Sequence, residues 1–88
     1  MQPQPVLRFT ESEASAKVGR TVRSLFEFAG VPLGTLGEVV DIYEFADGQF
    51  DVVVEWESSR LHKLRDRFAK EPYEEYLTEE VNEFAIAV

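Results

Sequence analysis

Most side chains that could contact a charged ligand stand in one short segment, RLHKLRDRFAK at residues 60–70. It holds five of the nine Lys and Arg residues of the chain, and its single histidine. Basic side chains interleaved with aromatic rings are typical of surfaces that contact phosphate groups and stack on bases. The residues that could form such a surface are Arg60, His62, Lys63, Arg65 and Arg67, with Phe68 and Trp56 as stacking rings.

Three interpretations of this segment stay open. It could be a solvated strand whose positive charges balance acidic neighbours, because residues 24–59 hold eight acids and residues 71–88 hold six, with no Lys or Arg in either range. It could bind an acidic protein, or it could bind nucleic acid. The formal net charge of −8 favours protein over nucleic acid, since an acidic chain is repelled by phosphate backbones.

A second candidate is the glycine-rich stretch GVPLGTLG at residues 30–37. A phosphate-binding loop places its glycines between a strand and a helix whose N-terminus faces the phosphate. Here a strand is predicted after Gly37, and neither G-x-G-x-x-G nor a Lys-Ser/Thr pair is present. We therefore interpret the stretch as a chain turn, in which Gly34 takes a positive φ after Pro32 and Gly37 permits a bulge or a close backbone contact.

The residue inventory favours neither catalysis nor metal binding. The chain has no cysteine and one histidine, and it lacks both the G-x-S-x-G nucleophile elbow and the D-x-[DN]-x-[DN]-G calcium loop. A domain of 88 residues also leaves little room for a deep pocket. We expect no enzyme, no catalytic residue, no metal and no cofactor.

Short strands would position these residues. Strand formers dominate residues 20–29, 36–45 and 49–56, and Ala46-Asp47-Gly48 predicts a hairpin between the last two ranges. Alternation along residues 49–56 puts Trp56 on the same face as three apolar side chains, so we expect a buried indole. A fourth strand over residues 60–68 and a closing strand over residues 84–88 complete the set.

Two short helical segments accompany the strands. Thr10 and Glu13 have the spacing of a capping box, so a short helix is expected to end at Gly19. Pro72 is predicted at the first helical position of a turn that puts Tyr73 and Tyr76 on one face, where they would cover one end of a barrel. We divide the chain into an N-terminal extension, residues 1–17, with a mobile Gln-Pro-Gln-Pro start, and a barrel domain, residues 18–88.

The hairpin carries a resemblance to known proteins. Gly34-Thr35-Leu36-Gly37-Glu38-Val39 and the later Val52-Val53-Val54-Glu55-Trp56 resemble the pattern G-T-x-G-x-V followed by V-x-V-x-[WF] in SH3-like small barrels of bacteria and plastids. These include KOW-type ribosomal and transcription modules, the variable subunit of ferredoxin–thioredoxin reductase and a photosystem I subunit that helps dock ferredoxin. The resemblance covers residues 18–80 and implies a mainly β, single SH3-like barrel of about five antiparallel strands. KOW-type members are typically basic, and this acidic chain departs from them.

The resemblance also implies a non-catalytic protein that packs against a larger partner. We therefore expect a protein-interaction module or small accessory subunit of a cytoplasmic complex, with electron transfer as one setting. Two alternatives stay open: a nucleic-acid-associated regulatory factor in transcription or translation, and an acidic inhibitor or antitoxin-like protein. No signal peptide or membrane span is expected. The expected partner-binding residues are Arg60, His62, Lys63, Arg65, Arg67, Phe68, Tyr73 and Tyr76, and the expected structural residues are Gly34, Gly37, Gly48 and Trp56.

Overall fold

The computed structural model describes residues 6–28, 30–57 and 64–80. The described elements are α1 (Glu11–Lys17), β1 (Thr21–Ser24), β2 (Leu36–Ala46), β3 (Gln49–Trp56), β4 (Arg65–Phe68), α2 (Lys70–Tyr76) and β5 (Leu77–Glu79). Among the described residues the strands form one antiparallel sheet in the order β4-β3-β2-β1-β5, with β4 and β5 at its two ends. The predictions of a mainly β chain, of about five antiparallel strands and of a short helical segment around Pro72 are confirmed. Neither helix among the described residues is long and apolar enough to cross a membrane.

The β2–β3 hairpin is the longest pairing in the sheet. Its strands pair from Gly37 opposite Trp56 to Ala46 opposite Gln49, with register shifts between Val39 and Asp41 and again near the turn. The turn lies at Asp47-Gly48, where Gly48 has a φ of 75°. The predictions for the hairpin turn and for β3 over residues 49–56 are therefore confirmed, since the alternation of apolar and polar side chains matches the period of a strand.

The core is built around the inner face of β3. Phe50, Val52, Val54 and Trp56 are all buried on that face, and the expected burial of the indole is confirmed because Trp56 is 1% exposed. The other members of this core come from the remaining four strands, from both helices and from the segments around Phe9 and Val31; they are Phe9, Ala14, Val22, Val31, Val39, Phe68, Tyr73 and Leu77. Phe9 and Ala14 belong to this cluster, so the described part of residues 6–17 packs on the sheet.

Both ends of α1 follow the sequence prediction. The Thr10 hydroxyl accepts a hydrogen bond from the Glu13 N–H at 3.2 Å, and a Glu13 carboxylate oxygen accepts one from the Thr10 N–H at 2.9 Å. This reciprocal pair is the predicted capping box, and it satisfies two backbone donors that a helix start otherwise leaves unpaired. The helix ends at Lys17, just before Gly19.

Two sequence predictions need correction. Pro72 is the third residue of α2, not the first; its missing N–H is harmless there because the first-turn amides of a helix have no intrahelical acceptor. β1 ends at Ser24 instead of continuing to residue 29, since its partner β2 begins only at Leu36, opposite Arg23. The strand after α2 is β5, which begins at Leu77 and pairs with β1.

Parts of two predicted strands lie outside the described residues. β4 confirms the fourth strand over Arg65–Phe68, while residues 60–63 of that prediction are not among those described. The closing strand predicted over residues 84–88 also lies outside the described residues, as does the Gln-Pro-Gln-Pro start.

Candidate functional site

The glycine-rich stretch forms a turn followed by a strand. Gly34 has a φ of 85°, and its N–H donates to the Ser24 carbonyl oxygen at 2.9 Å. The buried Ser24 hydroxyl donates to the Pro32 carbonyl oxygen at 2.8 Å and accepts from the Thr35 N–H, which ties the turn to the end of β1. Because β2 follows the glycines directly, the stretch lacks the helix N-terminus that a phosphate loop requires.

Gly37 lies inside β2, where the sheet packs most closely. A Cβ at this position would lie 2.8 Å from Cε3 of Trp56 and 2.8 Å from Cγ1 of Val54. The close contact predicted for Gly37 is therefore confirmed. The absence of a side chain here is what lets the indole lie against the strand.

The basic segment is only partly described. Arg65 and Arg67 are exposed on β4, while Arg60, His62 and Lys63 lie outside the described residues. Both Nε and Nη2 of Arg65 lie 2.8 Å from Oε2 of Glu55, its neighbour on β3. The guanidinium of Arg67 lies over the Tyr43 ring, 4.0 Å from its centroid. Arg65 is therefore held by a group on β3 and Arg67 by a ring on β2, as the solvated-strand interpretation expects.

Three of the aromatic residues singled out in the sequence are buried in the core. Trp56 donates its indole N–H to Asp66 at 2.9 Å and offers no face for stacking on a base. Phe68 packs edge-on against Trp56, with ring centroids 6.3 Å apart. Tyr73 is 3% exposed and packs edge-on against Phe9. Neither Phe68 nor Tyr73 presents a large surface to an approaching partner, although both were predicted to bind one.

The carboxylate of Glu79 joins several elements. It accepts hydrogen bonds from Lys17 of α1, from Arg20 just before β1 and from the hydroxyl of Tyr73 on α2. Burial opposes the charge, but the hydrogen bonds from Lys17 and Tyr73 prevail and lower the pKa of Glu79 below its usual value. Burial, together with the bond to Glu79, raises the pKa of Tyr73. These contacts indicate that the carboxylate of Glu79 has a structural role.

An exposed aromatic surface lies beside these buried rings. Phe26 is 51% exposed and Tyr76 is 39% exposed, and their rings meet edge-on with centroids 5.5 Å apart. They line an open groove of about 580 Å³, which we call the aromatic groove. Its lining residues are Phe26, Glu27, Phe28, Arg67, Phe68, Pro72 and Tyr76. The walls are mainly apolar, and Glu27 and Arg67 supply the charges.

Phe28 anchors the aromatic groove to the core. Its ring centroid lies 6.4 Å from that of Tyr76, 5.8 Å from that of Trp56 and 5.9 Å from that of Phe68. The Phe28 backbone is also fixed, because it exchanges two hydrogen bonds with Val31 across a tight turn. The groove is thus preformed, since its inner wall consists of rings already packed in the folded chain.

Sequence reasoning identified one side of the aromatic groove and missed the other. Tyr76 was predicted to bind a partner, whereas Phe26 and Phe28 were assigned to a strand. The two sides come from distant parts of the chain, residues 26–28 and residues 67–76. The sequence signal that could have identified this side is the position of Phe26 and Phe28 just before a glycine-rich turn, because strands commonly end at such turns.

The described residues form no metal site that could be an alternative to the aromatic groove. A smaller depression of about 160 Å³ is lined in part by Trp56, Glu38, Glu55 and Glu57. Despite these acids, no group of His, Asp or Glu residues in the described part of the chain could hold a metal ion. The aromatic groove is therefore the candidate site.

Comparisons with protein-family models, with curated protein sequences and with solved structures return no match.

Proposed function

We propose that this protein is a non-enzymatic interaction module, or small accessory subunit, that docks a larger protein through the aromatic groove. The observation that carries the proposal is the exposure of Phe26 and Tyr76 in a concave, preformed site. Exposed aromatic side chains that partly fill a pocket are the commonest energetic anchors of protein interfaces. Rings fixed by the core lose little conformational entropy on binding, which favours affinity.

The resemblance to SH3-like barrels fits the arrangement of the strands. We infer that the sheet curls into a half-open barrel, because its two edge strands, β4 and β5, are consecutive in the chain and joined only by α2. The single core with side chains from all five strands supports this inference. The absence of cysteine fits a reducing compartment, and we place the module in a cytoplasmic complex.

The positions of the aromatic and basic residues favour a protein partner over nucleic acid. A nucleic-acid surface on β4 would need Trp56 and Phe68 as stacking rings, and both are buried. Its described cations, Arg65 and Arg67, are held by Glu55 and Tyr43. The exposed rings lie instead in the aromatic groove. The formal net charge of −8 also disfavours contact with the phosphates of nucleic acid.

Site-specific crosslinking tests the proposed function. A photoreactive amino acid is placed at position 26 in one variant and at position 33 in the other, and both are irradiated in extract of the native cell. Leu33 is a matched control because it is 67% exposed and apolar but does not line the aromatic groove. We expect a discrete protein adduct from position 26 alone. Equal adducts from both positions, or none from position 26, would contradict the proposal.

A charge-reversal variant separates the aromatic groove from the basic segment. Arg65→Glu removes the pair with Glu55 and reverses one exposed charge on β4 without altering a ring of the groove. The position-26 adduct should persist in this background. Loss of the adduct would return the docking surface to the basic segment predicted from the sequence.

A further inference from the structure

The two charged residues that line the aromatic groove lie on its opposite sides. Glu27 belongs to the side formed by residues 26–28, and Arg67 belongs to the side formed by residues 67–76. Both residues are exposed, and neither side chain forms a hydrogen bond or an ion pair with another described residue. The lining therefore offers one unpaired acid and one unpaired base, and it favours an occupant that carries the complementary pair.

Arg67 differs from the other described arginines in its partner. Each of the others forms an ion pair with a carboxylate; they are Arg8, Arg20, Arg23 and Arg65. The guanidinium of Arg67 instead lies over the Tyr43 ring, 4.0 Å from its centroid. Stacking on a ring holds the plane of a guanidinium but leaves the N–H groups at its edge able to bind a carboxylate. Arg67 is thus oriented for a carboxylate that the described part of the chain does not supply.

Exposed apolar side chains adjoin the lining of the aromatic groove. Leu25 is exposed, and its N–H donates to the carbonyl oxygen of Tyr76 at 2.8 Å. Leu64 is also exposed, and its Cδ1 lies 4.0 Å from the position of a Cβ on Gly30, in the turn that follows residues 26–28. Together with the rings of Phe26 and Tyr76, these side chains form the kind of apolar surface that marks a protein contact.

A second copy of the chain would satisfy the apolar surface and both charges at once. In a two-fold symmetric dimer each copy uses the same surface, so every contact occurs twice with the roles of the two copies exchanged. A half-turn about an axis that runs along the groove, between its two sides, brings the acid of each copy opposite the base of the other. The pairing leaves no unbalanced charge in the interface, although the whole chain has a formal charge of −8.

We propose that, in the absence of a larger partner, a second copy of this chain covers the aromatic groove in a two-fold symmetric dimer. The Phe26 ring of each copy packs against Tyr76 of the other, and Glu27 of each copy pairs with Arg67 of the other. The dimer is reversible, because few apolar side chains contribute and permanent interfaces are larger and more apolar. It goes beyond the proposed function, since the purified chain forms it without any other protein.

Charge exchange in the purified full-length protein tests the pairing. Glu27→Lys and Arg67→Glu should each weaken dimerisation about tenfold, since each change places two like-charged contacts in the symmetric interface. An equal mixture of the two variants should dimerise about as tightly as the wild-type chain. In the mixed dimer the introduced lysine faces the introduced glutamate, and the unchanged Arg67 faces the unchanged Glu27.

Sedimentation velocity over a range of concentrations measures the dimer, and circular dichroism checks that each variant is folded. The matched controls are Glu44→Lys and Arg65→Glu, which make the same changes of charge at exposed residues outside the groove lining. Both controls should dimerise as the wild-type chain does. A wild-type chain that stays monomeric up to about 1 mM, or a mixture that dimerises no better than its components, overturns the proposal.

A photoreactive amino acid at position 26 locates the contact in the same purified preparation. We expect an adduct of twice the mass of the chain that joins position 26 to residues 67–76 of the second copy, and none from position 33. A two-chain adduct that maps elsewhere overturns the proposal. An adduct of single-chain mass that joins position 26 to residues 81–88 also overturns it, because the occupant is then the chain's own C-terminal segment.

The same crosslink separates the dimer from the proposed function. In cell extract, an adduct of twice the mass of the chain is the dimer, and only an adduct with a different protein counts toward the proposed function. If the purified chain is monomeric while position 26 captures another protein, the dimer is wrong and the proposed function stands. If the dimer forms and no other protein is captured, the proposed function is wrong and the dimer stands.

Discussion

Replacing Gly37 with alanine should destabilise the protein through a steric clash in the core. The new Cβ would lie 2.8 Å from atoms of Trp56 and Val54, both almost fully buried, and 3.1 Å from the Glu55 carbonyl oxygen. Overpacking of this kind costs about 1–3 kcal/mol. Removing a glycine from a strand returns about 0.5–1 kcal/mol. A net loss of about 1–2 kcal/mol corresponds to a fall in Tm of roughly 5–15 °C for a domain of this size.

Gly34 provides the matched comparison, because its constraint is conformational. Nothing lies within 4 Å of a Cβ at Gly34, but its φ of 85° strains any residue with a side chain, at about 1–2 kcal/mol for alanine. Asparagine adopts positive φ more readily, so Gly34→Asn should be more stable than Gly34→Ala. Gly37→Asn should instead be no more stable than Gly37→Ala, because the larger side chain deepens the clash.

Thermal unfolding followed by circular dichroism measures these four variants, and Trp56 fluorescence reports movement of the indole. The emission should shift in the Gly37 variants and stay unchanged in the Gly34 variants. The protein adduct from position 26 should still form in the folded fraction of all four, since neither glycine lines the aromatic groove. A Gly37→Ala variant that melts at the wild-type temperature, or an asparagine that rescues stability at position 37, would refute the steric argument.

Three further predictions concern the contacts of the helices. Tyr73→Phe removes one hydrogen bond to the Glu79 carboxylate, which keeps its bonds from Lys17 and Arg20, so urea unfolding should show a loss of about 0.5–1.5 kcal/mol. Folding lowers the pKa of Glu79, so the stability that its carboxylate contributes is present above about pH 4.5 and is lost as the pH falls through the lowered pKa. Glu79→Gln should therefore flatten the dependence of the unfolding free energy on pH below about pH 4.5. An unchanged slope in this variant would contradict the assignment. Thr10→Ala removes the capping box and should cost about 1 kcal/mol, while Ser at this position should restore most of it.

The sequence predicted the elements whose signals are local. The alternation of apolar and polar residues along β3 predicted the strand correctly because one face of that strand is buried along its length. The Asp47-Gly48 turn and the capping box of Thr10 and Glu13 were likewise predictable, since each depends on residues within a few positions of one another. These three signals account for α1, β2 and β3.

The ends of β1 and α2 were not predictable from local propensity. Leu25, Phe26 and Phe28 are good strand formers, but a strand needs a neighbour, and beyond Ser24 the amide of Leu25 donates to Tyr76 of α2 instead. Leu77 lies four residues after Tyr73, so it continues a helical period, although its backbone is already extended. Tertiary partners decided both boundaries, as they often do for short elements.

Composition likewise could not separate buried rings from exposed ones. The chain has seven phenylalanines and three tyrosines, and the sequence gives similar weight to Phe68, Tyr73 and Tyr76 on the same segment. The fold buries the first two and exposes Tyr76 beside Phe26, a neighbour fifty positions earlier in the chain. The candidate site therefore depends on a long-range contact that no single motif encodes.

The position of the aromatic groove follows from the way the sheet ends. β4 has four residues, of which three are charged, and short, charged edges resist unspecific pairing with other chains. Phe68, the remaining residue of β4, is buried and joins Arg67 in the wall of the aromatic groove, and α2, which begins at Lys70, supplies Pro72 and Tyr76 to the same wall. The aromatic groove therefore lies where β4 ends the described strand order and the chain enters α2, and the rings of Phe26 and Tyr76 stay exposed there.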